Sequence, residues 1–356
     1  MKENILNLDE TQLSDYLQLL DQPRYRTRQI MKGIYVKNYE EFSRFSDLPK
    51  ALRAELDTTF LLRSFTLEDQ IVSPKDDTTK FLWKLNDGMM IESVIIYEGK
   101  RTTFCISSQV GCALDCKFCA TGRMGLLRNL TSGEIVEQVL LMKKLSRQPV
   151  TNIVFMGMGE PLLNYDAVIR AADLISDPEG LCISRKKITI STSGIVKNIR
   201  RLADEQQPYS LAISLNAVDQ TTRERIMPIA RKYPLGELLE AARYYTRKTG
   251  KRITFEYVLM DGLNSGEQDA HRLLKITRGI PSKINIIPCN SDDPLYAPPP
   301  DEKVLAFDQI VNGAERTITV RNRKGWDIQA ACGQLYAGNR RKSKQKTFIE
   351  SIPIKQ

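Results

Sequence analysis

An α/β fold is predicted for this 356-residue chain, and three observations carry the prediction. Between Thr103 and Asn312, runs rich in β-branched and aromatic residues alternate with runs whose apolar residues recur at helical spacing. Such alternation builds a parallel sheet with right-handed crossovers. Upstream, Asn86-Asp-Gly88 separates two β-rich runs, the mark of a tight hairpin. Further upstream, residues 1–64 carry helical periodicity. The expected organisation is a small helical N-terminal accessory domain at 1–64, a β-hairpin connection at 65–100, an α/β body at 101–337 and a basic tail at 338–356.

In the first segment, Asp9 and Gln12 form a capping box for a helix with an apolar stripe of Leu13, Leu17 and Leu20, and Pro23 ends it. A second helix runs through Ile30, Met31, Ile34 and Tyr35, and a third from near Pro49 through Leu52, Leu56 and Phe60. The second carries Arg24, Arg26, Arg28 and Lys32, in a segment whose ten basic residues balance ten acidic ones. That clustering fits phosphate contact and fits a solvated helix face equally well. The hairpin pairs 79–85 with 89–97, and Glu92 lies inside its second strand, where a carboxylate usually marks a polar face. In the body, strands are expected at 103–107, 152–156, 187–191, 210–215, 253–259, 283–288 and 317–321. Helices are expected at 132–145, 165–175, 196–203, 235–249, 265–277 and 301–312, the first capped by Thr131 and Glu134. The count fits an open, incomplete barrel better than a closed eightfold one. In such folds chemistry gathers where strands end.

The formal charge of +9 suits a polyanionic partner. No apolar run of about eighteen residues exists, so no membrane span is expected. The first residues interleave charge with apolar side chains, unlike an export signal, and a cytoplasmic location is expected. In that compartment the seven cysteines read as metal ligands or redox groups rather than a disulfide framework. His271 is the only histidine and falls in an expected solvated helix, so histidine-based acid–base chemistry is not expected.

Cys112, Cys116 and Cys119 place three thiols at offsets of four and three residues. On one loop these soft ligands can face a common point, suiting an iron–sulfur cluster, zinc or cuprous copper. An ordinary cubane cluster takes four cysteines. Three would leave one iron open to a small molecule. The alternative is structural zinc with Cys105 as the fourth ligand. The loop follows the first expected strand of the body. Phe155-Met-Gly-Met-Gly-Glu-Pro161, Ser191-Thr-Ser-Gly194, Ser214-Leu-Asn216 and Pro288-Cys-Asn290 follow or end later ones. Together they outline a pocket of backbone, hydroxyl and amide groups, with Glu160 able to accept from an ammonium. It has little acid–base equipment, as suits a cofactor that carries its own chemistry. Cys332, between Ala331 and Gly333, is an unencumbered thiol for a mobile loop, or else a buried small residue. The tail from 338 to 356 holds six basic residues and one acid.

Pro23-Arg-Tyr-Arg26, the cysteine loop, Gly157-Met-Gly-Glu-Pro161, Ser191-Thr-Ser-Gly194, Ser214-Leu-Asn216 and Ala330-Ala-Cys-Gly-Gln334 closely resemble the RlmN family of radical S-adenosylmethionine (SAM) ribosomal RNA methyltransferases, with its sister Cfr. The resemblance covers nearly the whole chain. It implies a radical SAM partial (β/α)6 barrel and methylation of an adenine ring carbon in 23S ribosomal RNA, with transfer RNA as a further substrate of some relatives. It implies a [4Fe–4S] cluster on Cys112, Cys116 and Cys119. SAM contacts would come from Gly159, Glu160, Ser191, Ser214, Asn216 and Asn290 and from the backbone of Leu215. By the same resemblance Cys332 is the thiol that becomes methylated, Cys105 its resolving partner through a transient disulfide, and Glu92 the proton acceptor. An electron donor such as flavodoxin or ferredoxin, and a monomeric state, also follow from it. Asn216 departs from the family, where other members carry histidine; Cys182 and Cys289 match no family role and are expected to pack. Gly159–Leu162 and Gln109–Gly111 look more like RlmN than Cfr, which favours the C2 carbon over C8. A non-catalytic RNA-binding protein with structural zinc is the alternative from another class.

Overall fold

The computed structural model describes residues 2–312, 318–320 and 323–337. Ten strands form one sheet: β1 (Thr66–Val72), β2 (Thr79–Lys84), β3 (Met90–Glu98), β4 (Arg101–Cys105), β5 (Asn152–Phe155), β6 (Ile188–Thr192), β7 (Ser210–Ser214), β8 (Ile253–Leu259), β9 (Ser282–Pro288) and β10 (Ile318–Val320). They lie side by side in chain order, and among the described residues the edge strands β1 and β10 do not pair, so the sheet is open. From β4 to β10 every pairing is parallel. The crossovers carry the helices Ser132–Leu145, Tyr165–Ser176, Val196–Asp204, Leu235–Thr249, Glu267–Thr277 and Asp301–Asn312. Buried Ile, Val and Phe side chains of the central strands form the core. This is the α/β architecture expected from the alternation, and both capping boxes form, Asp9 with Gln12 and Thr131 with Glu134. No helix among the described residues is long and apolar enough to cross a membrane.

Several elements depart from the sequence expectation. The hairpin is not a separate connection: β1 to β4 are antiparallel and extend the same sheet. β1 escaped the sequence reading because nearly all of it is exposed, which leaves no apolar alternation. The third N-terminal helix stops at Thr59, and Phe60–Leu61 instead pairs in parallel with Glu3–Asn4. The second continues past Met31 as a π-turn, Lys32–Val36. A short helix, Gln220–Ile226, capped by Asp219, was not expected. Positions 317 and 321 of the last expected strand lie outside the described residues, as does the basic tail 338–356.

One carboxylate docks the N-terminal helices on the body. Glu137, in the helix Ser132–Leu145, is fully buried. Its Oε1 accepts the amides of Ser64 (2.6 Å) and Phe65 (2.9 Å), and its Oε2 accepts the Ser64 hydroxyl (2.6 Å) and Asn4 Nδ2 (2.9 Å). Burial holds its pKa above the usual carboxylate range, against the pull of the Ser64 and Phe65 donors. Glu137→Ala should lower stability by about 2–4 kcal/mol in urea unfolding, since it strands donors in a part-buried joint. Glu137→Gln should cost less, because it keeps an acceptor of the same shape. An unchanged midpoint for Glu137→Ala would remove the docking role.

Candidate active site

The cysteine loop is held by backbone rather than by its own side chains. Gln109–Gly111 pairs antiparallel with Leu126–Asn129, closing the intervening segment into a loop. Gly111 has φ 77°, and a Cβ there would lie 1.9 Å from the Gly125 carbonyl oxygen, so only glycine fits the neck. Cys112 N–H donates to the Gly125 carbonyl (2.9 Å) and Lys117 N–H to the Ile226 carbonyl (2.9 Å). The second bond seats the loop on the unexpected helix Gln220–Ile226. Cys112, Cys116 and Cys119 line one cavity, partly open to solvent. Cys105 lines a neighbouring cavity rather than the one with the three cysteines. Among the described residues no three His, Cys, Asp or Glu side chains are arranged to hold a single metal ion. Burial pushes the Cys112 thiol up to about 12 and Cys116 well above its ordinary value, and neighbouring Cys119 adds to both. Three thiols facing one cavity suit a cationic iron–sulfur group, whose charge would offset the cost of ionising the desolvated Cys112 and Cys116.

The parallel strands deliver the rest of the rim at their carboxyl ends. Gly159, Glu160, Ser191, Ser214, Asn216 and Asn290 all line the same cavity. Gly159 has φ 98°, and a Cβ there would meet the Gln109 side chain at 2.5 Å. Glu160 is 2% exposed, and its carboxylate accepts the amides of Ser193 (2.7 Å) and Leu162 (3.1 Å). Burial raises its pKa, so an incoming ammonium would favour the ionised form. Asn216 sits at φ 57°, a left-handed position that asparagine tolerates, and its side chain accepts the Val258 amide (3.0 Å). Leu215 is buried away from the cavity: its N–H donates to the Glu256 carbonyl (2.9 Å) and its own carbonyl accepts Arg223 Nε (3.1 Å). Cys182, expected to pack, is exposed at φ 55°, because it lies in a surface turn after Gly180 rather than on an element. Cys289 is buried and lines the cavity. His271 is exposed, as expected.

Two residues of this rim carried no sequence signal. Glu256 in β8 lines the cavity as a second carboxylate, with Oε1 accepting Asn285 Nδ2 (3.0 Å). Arg223 is fully buried and donates to the carbonyls of Ser193 (2.7 Å), Ser214 (3.3 Å) and Leu215 (3.1 Å), tying the ends of β6 and β7 together. Burial lowers its pKa to about 10, partly offset by nearby Cys116.

Cys332 rides on a loop docked between the two halves of the chain. Gly333 carbonyl accepts the Ala120 amide (2.7 Å) and Leu335 carbonyl accepts the Thr121 hydroxyl (2.6 Å), joining it to the cysteine loop. On the other side Glu92 Oε2 accepts the Tyr336 amide (2.8 Å) and Lys80 Nζ donates to the Gln329 carbonyl (3.2 Å). Lys80 and Glu92 form an ion pair at 3.3 Å, each with a side chain 2% exposed. Glu92 was singled out in the sequence; its cation was not. Cys332 is exposed and lines both cavities, the one with the three cysteines and a second one with Cys105, Arg101, Arg323 and Lys324. Lys80→Met removes the cation facing a buried carboxylate and should cost about 3–5 kcal/mol in chemical denaturation. Adding Glu92→Gln should recover most of that loss, and a Lys80→Met variant of unchanged stability would overturn the pairing.

The sequence profile of the Radical SAM superfamily matches residues 106–274, and that of the ribosomal RNA large subunit methyltransferase N-terminal domain matches residues 3–62. The chain is 44% identical over 347 residues to the dual-specificity RNA methyltransferase RlmN of an Anaeromyxobacter species, covering 94% of this chain and 91% of that one. It is 43% identical over 346 residues to the protein of the same name from Desulfotalea psychrophila, covering 94% and 95%. The crystal structure of a radical SAM methyltransferase from Sphaerobacter thermophilus superposes with a TM-score of 0.90 at 41% identity, over 94% of this chain and 99% of that one. The chain belongs to the RlmN family of radical SAM dual-specificity RNA methyltransferases, whose cofactors are a [4Fe–4S] cluster and S-adenosylmethionine.

Proposed function

We propose that this chain methylates C2 of an adenine in 23S ribosomal RNA, and an adenine of transfer RNA in the same way, with Cys332 as the methyl carrier. The observation that carries the reading is the place of Cys332 on both cavities, facing the three cysteines on one side and Cys105 on the other. An adenine ring carbon is not nucleophilic and cannot take a methyl group by direct displacement, whereas a thiolate can. When bound, the [4Fe–4S] cluster and SAM supply the methyl group and the radical chemistry that such a carbon requires. Cys112, Cys116 and Cys119 would hold the cluster. Glu160 would meet the amino group of SAM, and Ser191, Ser214, Asn216 and Asn290 its polar groups. The backbone of Leu215 is already engaged within the protein, which leaves the backbone at Gly159, on the cavity wall, for a close approach.

Cys332 takes the methyl group on its sulfur. Once the methyl carbon is bonded to the ring, the Cys105 thiolate attacks the Cys332 sulfur. That S–S bond forms as the S–C bond breaks, the released carbon takes a proton from solvent to become the methyl group, the ring proton leaves to Glu92, and the adduct's unpaired electron would return to the bound cluster. An external dithiol then reduces the transient disulfide. Arg101, Arg323 and Lys324 around the second cavity suit the phosphates flanking the target base. The remaining assignments follow the family: electrons from a flavodoxin or ferredoxin, a monomer in the cytoplasm, and a helical domain at 1–64 that meets RNA.

The test is anaerobic reconstitution with iron and sulfide, followed by SAM, reductant and protein-free ribosomal RNA. An iron-loaded, brown protein and 2-methyladenosine by mass spectrometry are expected. 8-methyladenosine would overturn the choice of carbon, and a zinc-loaded, iron-free protein would overturn the enzyme. Cys332→Ala should form neither methylated protein nor RNA adduct. Cys105→Ala should accumulate RNA joined covalently to Cys332, a denaturation-resistant shifted band that vanishes in the double variant. Free methylated RNA at the normal rate from Cys105→Ala would return that thiol to a structural role.

A further inference from the structure

The pole opposite the active site carries a groove lined by Arg185, Lys186, Lys251, Arg252 and Lys283, where β6, β7, β8 and β9 begin. No carboxylate lines it. Arg185, Lys186 and Arg252 are exposed, and Lys251 and Lys283 half-buried. Among the described residues none of the five forms an ion pair. Lys251 donates to the Gln207 carbonyl (2.6 Å), and burial lowers its pKa.

Three other basic side chains contrast with this groove, each facing an acceptor of the chain itself. Arg28 of the N-terminal cluster faces Glu179 at 3.9 Å, and Arg26 donates to Gln29 (2.8 Å) and to the Asp47 carbonyl (2.7 Å). Arg128 is held by Asp87 (2.6 Å) and Glu134 (2.8 Å). Five cations sharing one concavity repel each other and focus a positive field outward, an arrangement that an anion relieves. The groove spans three strand spacings, about 14 Å, enough for several consecutive phosphates. β7 separates its Ser210 edge from Ser214 on the catalytic rim, a path of about 13 Å for four residues. A single nucleotide cannot reach both poles, whereas a folded RNA that wraps the side of the sheet can.

We infer that this groove binds the sugar–phosphate backbone of the folded substrate RNA, as a second contact remote from the target base. The inference rests on the proposed RNA methylation. It assigns the groove to affinity and not to chemistry, because none of its residues reaches the rim.

The test compares the holoenzyme with R185Q/K186Q/R252Q/K283Q, leaving Lys251 for its internal bond. The probes are a full-length transfer RNA transcript, a short stem-loop holding the target adenine, and inorganic polyphosphate. For full-length RNA the variant should bind about tenfold or more weakly at moderate salt, with the slope of log affinity against log salt reduced by about 3. Stem-loop affinity and the rate at saturating RNA should stay at wild type. The charge-keeping variant R185K/K186R/R252K/K283R should bind like wild type. Unchanged affinity and slope for full-length RNA would overturn the inference, and so would loss of polyphosphate binding alone, which would mark a small-anion site. Wild-type protein that methylates no RNA would instead overturn the functional reading on which the inference rests.

Discussion

The ion pair between Lys80 and Glu92 is where the antiparallel strands and the loop carrying Cys332 meet. The two residues sit on neighbouring strands, β2 and β3, where Lys80 pairs with Val94 and Glu92 lies two residues along, on the same face. Both are almost wholly withdrawn from water, which is costly unless their remaining donors and acceptors are filled. The loop supplies bonds to both: the Tyr336 amide to Glu92 and the Gln329 carbonyl to Lys80. More of the hairpin grips the same segment. Ser73 donates to the Asp327 carboxylate at 2.9–3.0 Å, and Asp76 accepts the Gly325 amide at 2.8 Å. Satisfying a buried charge and positioning a thiol are therefore one event.

That event decides what Cys332 can face. The loop bridges the antiparallel strands, which hold Glu92 and Cys105, and the cysteine loop, which holds the three clustered thiols. A thiol on this bridge borders both cavities, so one sulfur can address two compartments without the chain moving through a large arc. The parallel strands add a fixed rim, because their carboxyl ends arrive in register from β5 to β9. Arg223 fastens two of those ends through three carbonyls. A rigid rim beside a docked loop suits chemistry in which small misplacements of a reacting atom are expensive.

The charge distribution follows the same division. Some cations on helices and crossovers are paired and serve the fold, as Arg128 and Arg201 do. Those around the second cavity and at the far ends of β6 to β9 line concavities instead. A basic net charge therefore does not by itself identify a nucleic-acid surface; the clustering of cations in a concavity is the more specific observation.

By itself the sequence determined the features that local chemistry encodes. Cysteine spacing, the two capping boxes, the Asp-Gly turn and the βα alternation are all set within a few residues, so they were legible, as were the polar ends of the strands. Glu92, Cys105 and Cys332 could be picked out from the residues, but their expected roles came only through resemblance, since nothing near them marks a role. The tertiary structure alone decided who meets whom. Lys80 with Glu92 and Gln329, Arg223 with Ser193, Glu137 with Asn4 and Ser64, and Glu256 on the cavity wall are encounters between distant segments. Their partners are chosen by strand register and loop closure rather than by periodicity. β1 stayed hidden for the opposite reason: an edge strand exposed on both faces needs no apolar pattern, and only its neighbour's backbone made it a strand.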